Sequence, residues 1–306
     1  MEKYTFVVED NDDGDRIDKY LDRNIVDYSK MDIKKNIDKG NLFINGIVGK
    51  PSSKLKSLDM IEFNIYGVTE MRAVPEDITI DIVYEDEDII IVNKPQGMVV
   101  HPSPGHRSGT LLNALLYYLK ENSLKNEIAI KPGIVHRIDQ DTSGIIVVAK
   151  NIEAHSHLSK QFASHTINRR YHAIVHNNIV EDNGEIDGPI CRDAVDTKKR
   201  VVDYTNGKDA ITHYKVLKRF GNFTYVECNL TTGRTHQIRV HMAYINHPLL
   251  GDELYGSNIN TYKLLGQALH AKVLGFIHPT TNKYVEFEKE VPEYFKKLLE
   301  EFELQL

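Results

Sequence analysis

Apolar and polar residues in the first part of the chain recur with the periods of short strands and helices. The run YTFVVE, 4–9, predicts a strand, and the apolar positions that follow it recur at helical spacing. A second helix is predicted over 31–38, and the dipeptide Asn45-Gly46 in the following NLFINGIVGK is typical of a two-residue hairpin. Residues 1–70 are therefore expected to form a small α/β module, a helix pair on a short sheet.

The rest of the chain carries strand-like and helix-like runs that do not alternate regularly. Residues 71–81 have few large apolar side chains and include Pro75, as is typical of a linker, and a second domain is expected over 82–306. Strands are predicted in IVYE, IIIVNK, GIIVVAK, YHAIVH, ITHYKVLKRF and FTYVECNLTT, and helices in TLLNALLYYLK and IEAHSHLSKQFA. Because the elements mix irregularly, we predict an α+β fold with a mixed, largely antiparallel central sheet rather than a doubly wound one.

Composition is typical of a soluble intracellular protein. A chain of 306 residues with 41% hydrophobic side chains can bury a core. The two cysteines, Cys191 and Cys228, are far apart and match neither a disulfide framework nor a zinc site. The acidic N-terminus lacks the basic start and apolar run of a signal peptide, and no segment reaches membrane-spanning length. We expect a cytoplasmic monomer that does not contact a membrane.

Charge is unevenly distributed along the chain. The formal net charge is -6, yet residues 129–241 contain 16 Lys and Arg against 12 Asp and Glu. On this evidence alone, ordinary variation accounts for the difference more readily than a surface that binds a polyanion does. Any contact with nucleic acid is expected to centre on this section.

The densest group of polar residues lies in KPGIVHRIDQDTSGIIVVAK, 131–150, between two apolar stretches. A loop that enters a buried strand through Ser143-Gly144 holds polar groups rigidly at the edge of a sheet, where catalytic residues are often found. A plain turn is also rich in Asp, Thr, Ser and Gly, so the cluster alone leaves both interpretations open. Asp139 and Asp141 lie two residues apart and would face the same side of an extended segment.

The segment HRIDQDTSG, 136–144, resembles the HRLDxxTSG signature of the RluA-type pseudouridine synthases, with Ile138 in place of Leu. Other blocks of that family occur in the family's order: KPQGMVVHP, RRYHAIV, TTGRTHQIRVH, GDELYG and LHA. Residues 1–70 resemble the alpha-L RNA-binding motif through RIDKYL, a helix, GNLFING and LKSLDMIEF. The combination is similar to the RluD branch, which acts on large-subunit ribosomal RNA, and it covers nearly the whole chain.

The resemblance implies that one carboxylate isomerises uridine to pseudouridine without a cofactor or a metal. Asp139 would be that residue, either as a nucleophile at the anomeric carbon or as a base on the neighbouring ribose carbon. Arg239 would pair with Asp139, and Tyr171 would pack on the target uracil, although its alternating neighbours also suit a core strand. The family varies the second carboxylate, so Asp141 is expected to order the turn or cap a following element.

The resemblance also makes RNA the expected partner, with ribosomal RNA as the first choice and transfer RNA as the alternative. Arg137 is expected to fill the space that the extruded nucleotide leaves, and Arg234 is expected to hold a phosphate. Further contacts with the RNA backbone are assigned to a basic loop and to the second helix of the N-terminal module, namely Lys198, Lys199 and Arg200, and Lys34 and Lys35. For the lysine residues a solvated surface is the alternative.

Other enzyme classes fit the sequence less well. His155 and His157 lie two apart on a predicted helix and would point in different directions, and no HExxH motif is present. Ser143 lies in TSG rather than in the GxSxG elbow of a hydrolase. His136 is expected to have a structural role. The remaining alternative is a noncatalytic RNA-binding or ribosome-assembly factor on the same fold, in which the loss of turnover would usually have left a substitution among the three implied catalytic residues.

Overall fold

The chain divides into two compact units, 1–72 and 73–306. The computed structural model describes residues 2–8, 12–25, 28, 30–66, 73–102, 106–122, 133–256 and 262–306. Of the predicted linker, 71 and 72 lie outside the described residues, 73–80 form no helix or strand, and Asp81 already begins a strand. None of the helices in these ranges is both long and apolar enough to cross a bilayer.

The first unit is a four-stranded antiparallel sheet covered by two helices. Its elements are β1 (Glu2–Val7), α1 (Ile17–Asn24), α2 (Lys30–Asp38), β2 (Leu42–Ile44), β3 (Ile47–Val48) and β4 (Met60–Ile65), with the strand order β1-β4-β2-β3. The predicted hairpin is confirmed, because Asn45 and Gly46 both have positive φ, 50° and 79°, and connect β2 to β3 in two residues. Phe63 of β4 and Leu21 of α1 belong to the core between the helices and the sheet.

The second unit is built on a ten-stranded sheet. Its elements are β5 (Asp81–Glu85), β6 (Ile89–Lys94), α3 (Leu111–Asn122), β7 (Gly133–Ile134), β8 (Ser143–Ala149), α4 (Ile152–Ala163), β9 (Asn168–His176), β10 (Asn183–Asp187), β11 (Ile190–Arg192), β12 (Arg200–Val202), β13 (Ile211–Arg219), β14 (Phe223–Leu230), α5 (Gln237–Tyr244), β15 (Leu269–Ile277), β16 (Tyr284–Glu288) and α6 (Glu293–Glu303). The main path is β10-β13-β14-β9-β15-β8-β6-β5, with β16 beside β15 and β7 beside β8, and β11 and β12 form a separate hairpin.

The predicted α+β class with a mixed, largely antiparallel sheet is confirmed. Among the strand pairs of the described residues, β8 and β15 alone run parallel. The six strands and two helices predicted in this unit are all present, with shifts of a few residues at their ends. The sequence analysis did not predict β15, β16, α5 or α6. The run LHAKVLGFI of β15 is nevertheless nearly continuous in apolar residues, as expected of a strand covered on both faces.

The centre of the sheet is buried on both sides. All seven residues of β8 are buried, and alternate side chains enter two different cores. Leu111 and Leu115 of α3 pack with Ile146 on one face, whereas Leu158 of α4 packs with Val147 on the other. The loop before β8 therefore enters the sheet where both of its faces are buried.

Gly144 allows β8 to pair with β15. Its φ is +118°, and a Cβ at this position would lie 2.3 Å from the carbonyl oxygen of Ala271. No L-residue with a side chain fits that approach. The glycine of the Thr-Ser-Gly sequence is thus explained by the parallel pairing, which also fixes the exit of the preceding loop.

His136 has the structural role that we expected. Its Nε2 accepts the backbone N–H of Val147 at 3.0 Å, and its ring stacks on Phe162 with centroids 4.4 Å apart. Burial of the ring, with a smaller contribution from Arg169, lowers the pKa of His136 to about 3. The imidazole is therefore neutral in the folded protein and fastens the segment before Asp139 to β8.

The low pKa of His136 predicts sensitivity to acid. Below about pH 6.5 the unfolded chain binds a proton that the native imidazole binds only near pH 3, so stability falls as the pH is lowered through this window. By pH 5 this one group should remove about 2 kcal/mol from the free energy of unfolding relative to neutral pH. Urea unfolding at pH 7 and pH 5 measures the loss. His136→Gln should show a smaller loss, and His155→Gln, at an exposed position, should match the wild type. Equal losses in all three proteins would contradict this account.

Candidate active site

Asp139 lies in the loop that connects β7 to β8, and the backbone of this loop is held on both sides. The N–H of Thr142 donates to the carbonyl of Asp139 at 3.1 Å, and the N–H of Gly97 donates to the carbonyl of Gln140 at 3.0 Å. These bonds tie the turn to itself and to the segment after β6. The side chain of Asp139 is 20% exposed, so its carboxylate is accessible at the edge of the sheet.

Lys94, at the end of β6, is hydrogen-bonded to the same loop. Its ammonium is fully buried and donates to the carbonyl oxygens of Pro95, Met98 and Gln140, each at 2.8 Å. Burial lowers the pKa of Lys94 to about 7, against the opposing influence of Asp141 and Asp139. Three carbonyl acceptors match the three N–H groups of an ammonium. Lys94 therefore fixes the position of the residue next to Asp139.

Arg239 of α5 connects two carboxylates. Its Nη1 donates to Oδ2 of Asp139 at 3.1 Å, while Nε and Nη2 donate to the two oxygens of Asp252 at 2.6 and 2.9 Å. The side chain of Asp252 is completely buried, and that of Arg239 is 9% exposed. The bidentate pair with Asp252 holds the plane of the guanidinium and directs one N–H at Asp139.

This arrangement leaves one oxygen of Asp139 available. Burial lowers the pKa of Arg239, but the hydrogen bonds and charges of Asp252 and then Asp139 outweigh it and raise the pKa above its ordinary value. The guanidinium is thus permanently charged beside Asp139. Oδ1 of Asp139 accepts no hydrogen bond from any residue in the described ranges. A carboxylate held by one oxygen, with the other free, is suited to act as a nucleophile or a base.

The helix that carries Arg239 is anchored by polar side chains. Gln237 accepts the hydroxyl of Thr232 and the N–H of Arg234 through Oε1, at 3.0 and 2.9 Å, and its amide donates to the carbonyl of Ile211 at 3.0 Å. A buried Gln237 side chain with both amide groups hydrogen-bonded holds the start of α5 in one orientation. The position of the guanidinium therefore follows from the packing of α5 rather than from Asp139 itself.

His236 and Tyr255 complete the polar surroundings of Asp139, and the sequence analysis did not assign a role to either. His236 has φ 59°, and its Nε2 lies 4.0 Å from Oδ2 of Asp139. Its Nδ1 and the hydroxyl of Tyr255 are 2.8 Å apart, and the ring of Tyr255 lies 5.1 Å from the guanidinium carbon of Arg239. Burial lowers the pKa of His236. A non-glycine residue in the left-handed region next to a candidate catalytic carboxylate is a common feature of active sites.

Tyr171 of β9 belongs both to the core and to the wall of the site. The residue is 9% exposed and packs in the main core of the second unit, yet it also lines the cavity at Asp139. Burial raises the pKa of its hydroxyl, which makes no hydrogen bond to another described residue. The sequence alone left core packing and contact with substrate as alternatives, and both are compatible with this position.

A small cavity brings five of the predicted residues together. Its lining consists of Arg137, Ile138, Asp139, Thr142, Tyr171, Leu230, Arg234, His236, Gln237, Ile238, Arg239 and Leu269. Arg137 is exposed at this cavity, and Nε of Arg234 donates to the carbonyl of Asp209 at 2.9 Å. The predicted catalytic residues and two of the predicted RNA contacts therefore share one surface.

The other predicted RNA contacts lie elsewhere. Lys198 and Lys199 are in the turn between β11 and β12, and Arg200 begins β12, where its N–H donates to the hydroxyl of Tyr255 at 2.7 Å. Lys34 and Lys35 are exposed on α2 in the first unit, and Lys34 lines a groove there that also includes Arg16, Lys30 and Lys50. None of these five residues lines the cavity at Asp139.

The expectation that the Asp141 side chain orders the turn or caps a following element is wrong. Its carboxylate makes no hydrogen bond to the part of the chain that the structure describes, and its side chain packs against Gly266, where an added Cβ would lie 2.4 Å from Cβ of Asp141. Burial raises the pKa of Asp141, in spite of Arg239 and Lys94. Asp141 is not part of the cavity lining. It is therefore not placed as a second catalytic carboxylate.

Comparisons with known proteins find relatives that align over nearly the whole chain. A family model described as RNA pseudouridylate synthase matches residues 88–244. YlyB of Bacillus subtilis (strain 168), an uncharacterized RNA pseudouridine synthase, is 45% identical over 300 residues, 98% of each chain. Ribosomal large subunit pseudouridine synthase D of Zymomonas mobilis is 44% identical over 292 residues, 92% of this chain and 91% of its own. A solved structure, human RNA Pseudouridylate Synthase Domain Containing 4, has the same fold, with a TM-score of 0.60 at 23% identity over 73% of this chain and 93% of that one.

Proposed function

Since this chain belongs to the RNA pseudouridylate synthase family, we propose that it modifies specific uridines of large-subunit ribosomal RNA through the carboxylate of Asp139. Family membership makes the protein an isomerase that acts on RNA. The choice of ribosomal RNA is supported by relatives named ribosomal large subunit pseudouridine synthase D that align over nine-tenths of this chain or more. The role of Asp139 is supported chiefly by its ion pair with Arg239 in an accessible cavity.

The reaction is an isomerisation that balances without a further reactant. The bond between N1 of uracil and the anomeric carbon breaks, the base turns, and a new bond joins C5 to the same carbon, while C5 loses a proton and N1 gains one. Asp139 would either attack the anomeric carbon or remove a proton from the neighbouring ribose carbon. Both routes need an ionised carboxylate with a free oxygen, and Oδ1 of Asp139 meets this need.

The neighbouring residues would hold the nucleotide in place. Tyr171 lines the cavity with a rigid aromatic side chain, on which a uracil ring can pack with little loss of conformational entropy. Arg137 is exposed beside Asp139 and is suited to fill the space that an extruded nucleotide leaves in the RNA. Arg239 would stabilise the charge of Asp139 after the cavity is closed to water.

We assign the contacts with the RNA backbone to basic residues outside the cavity. In the second unit these are Lys198, Lys199 and Arg200, and in the first unit Lys34 and Lys35, with residues 1–70 acting as an RNA-binding module. Arg234, at the cavity, is assigned to a phosphate. The cytoplasm is the proposed location, because ribosomal RNA is modified there in bacteria, and a monomer is the proposed state.

Removing positive charge from the β11–β12 turn should weaken RNA binding without slowing the chemistry. The double variant Lys198→Gln/Lys199→Gln should lower the affinity for RNA and reduce the slope of log Kd against log salt by up to about 2, because each phosphate contact contributes a little under one. The turnover number at saturating RNA should stay unchanged, since neither side chain lines the cavity. Filter binding over a range of salt concentrations measures the slope. Lys296→Gln/Lys297→Gln on α6 removes the same charge elsewhere and should leave both quantities unaltered.

The choice of RNA is tested by mapping pseudouridine in cells with and without the gene. Sites in large-subunit ribosomal RNA should disappear on deletion and return with the wild-type gene but not with Asp139→Asn. A loss confined to transfer RNA would overturn the proposed substrate and keep the chemistry. Unchanged maps of both RNA classes would contradict the proposed cellular function as a whole.

A further inference from the structure

Arg169 is a buried cation that the mechanism above does not use. It lies in β9 two residues before Tyr171, and alternation along the strand puts both side chains on the same face. The residue is 7% exposed, and it makes no hydrogen bond or ion pair with any described residue. Its Nε is fully enclosed without a partner. The two terminal nitrogens are not fully enclosed, so each keeps some exposure to solvent.

Such a group is unusual because desolvation of a charge is costly unless a partner compensates it. Burial accordingly lowers the pKa of Arg169, and Tyr171 opposes this shift. The two other arginines nearby are compensated. Arg239 has the carboxylates of Asp139 and Asp252, and Arg170, the next residue in β9, donates to Glu286 at 2.8 Å and lies 3.7 Å from Glu227. No described residue of the protein therefore supplies a counter-charge for Arg169.

The guanidinium of Arg169 lies between an aromatic ring and an exposed glycine. Its guanidinium carbon lies 5.9 Å from the centre of the Phe162 ring, which supports one face. On another side is Gly233, an exposed residue at which a Cβ would lie 2.5 Å from Nη1. The guanidinium thus reaches the loop between β14 and α5 only because residue 233 has no side chain. The next residue, Arg234, lines the cavity at Asp139.

We propose that Arg169 binds a phosphate of the RNA backbone next to the target uridine. The planar fork of a guanidinium matches two oxygens of a phosphodiester, and RNA is the polyanion that this enzyme meets. The phosphate would supply the missing counter-charge where the loop of Gly233 meets the cavity. This assignment rests on the proposed function and adds a third arginine, after Arg137 and Arg234, to the edge of the site.

The test compares Arg169→Gln with Arg170→Gln on a large-subunit ribosomal RNA fragment that the wild type modifies. Arg169→Gln should raise Kd about tenfold or more and reduce the slope of log Kd against log salt by about one. Its turnover number at saturating RNA should change much less than its KM. Arg170→Gln removes the same charge from the opposite face, where carboxylates already compensate it, and should match the wild type in Kd and slope.

A purely structural role for Arg169 gives different results. If the side chain only fills space, Arg169→Gln should lower the melting temperature and leave the salt slope unchanged. On the present proposal the melting temperature should stay the same or rise, because an uncompensated charge is removed. Should Arg169→Gln fail to fold, Gly233→Ala provides a second test. Residue 233 is exposed, and the added Cβ would displace the guanidinium of Arg169, so this variant should also raise Kd.

The proposal is overturned if the wild type binds and modifies the fragment while these variants keep its Kd and salt slope. That outcome would leave the proposed function intact. If the wild type modified no ribosomal RNA at all, the proposed function would fail first, and this result is distinguishable because it does not depend on any variant.

Discussion

Asp139→Asn is expected to lower the rate of pseudouridine formation by at least about 10³-fold, because an amide can act neither as a nucleophile nor as a base. RNA binding should change little, since the amide has the same shape and the basic residues around the cavity remain. Stability should also be nearly unchanged, because Arg239 keeps its two hydrogen bonds to Asp252. Single-turnover assays on ribosomal RNA, together with filter binding and thermal melting, separate the three effects.

Asp141→Asn is the matched control for this experiment. It removes a carboxylate two residues away that lies outside the cavity and makes no hydrogen bond in the described structure. It should retain most of the activity. Substantial turnover by Asp139→Asn, or the reverse ranking of the two variants, would show that the chemistry is assigned to the wrong residue.

Asp252→Ala should damage both stability and activity, although Asp252 does not line the cavity. Its removal leaves the buried guanidinium of Arg239 without its bidentate partner, and breaking a buried pair in this way costs about 3–5 kcal/mol. The turnover number should fall by about 10²-fold, because the N–H that Arg239 directs at Asp139 is no longer fixed. Urea unfolding of the purified variant and single-turnover kinetics measure the two losses.

Asp182→Ala is a suitable comparison for Asp252→Ala. Asp182 also pairs with an arginine, Arg219 at 2.7 Å, but its side chain is 82% exposed. An exposed pair contributes less than about 1 kcal/mol, so this variant should resemble the wild type in stability and turnover. Similar losses in both variants would mean that the effect of Asp252→Ala on stability and turnover does not come from the burial of its pair with Arg239.

The sequence predicted the main architecture because its strongest signals are local. Runs such as IIIVNK and GIIVVAK are bounded by turn residues, and Asn45-Gly46 dictates its hairpin by itself. The parallel partner of β8 was not predicted, since it depends on β15, which lies more than 120 residues further along the chain. No local pattern specifies a pairing over that distance.

The candidate site was predicted in part, and the misses have a common physical cause. Asp139, Tyr171 and Arg239 were assigned from the family blocks, and the structure brings them to one cavity. Asp252 and His236 were missed, although they lie in the blocks GDELYG and TTGRTHQIRVH, because their importance comes from contacts made in three dimensions. A buried arginine such as Arg239 needs more than one acceptor, and this need would have pointed to a second carboxylate such as Asp252.

The different surroundings of Arg169 and Arg170 could not be predicted from the sequence. The segment RRYHAIV contains two adjacent arginines that look equivalent, yet one is compensated by Glu286 and the other has no described partner. Strand alternation predicts that they face opposite sides of the sheet. It does not predict which side supplies carboxylates.

The most direct test of the central claim is the release of tritium from ribosomal RNA labelled at C5 of uracil, with purified wild-type protein and no added metal or cofactor. The account predicts release that levels off at a fixed small number of tritium atoms per large-subunit RNA, one for each modified uridine. Absence of release from any labelled RNA, under conditions in which the protein binds it, would contradict the account and favour a noncatalytic RNA-binding protein.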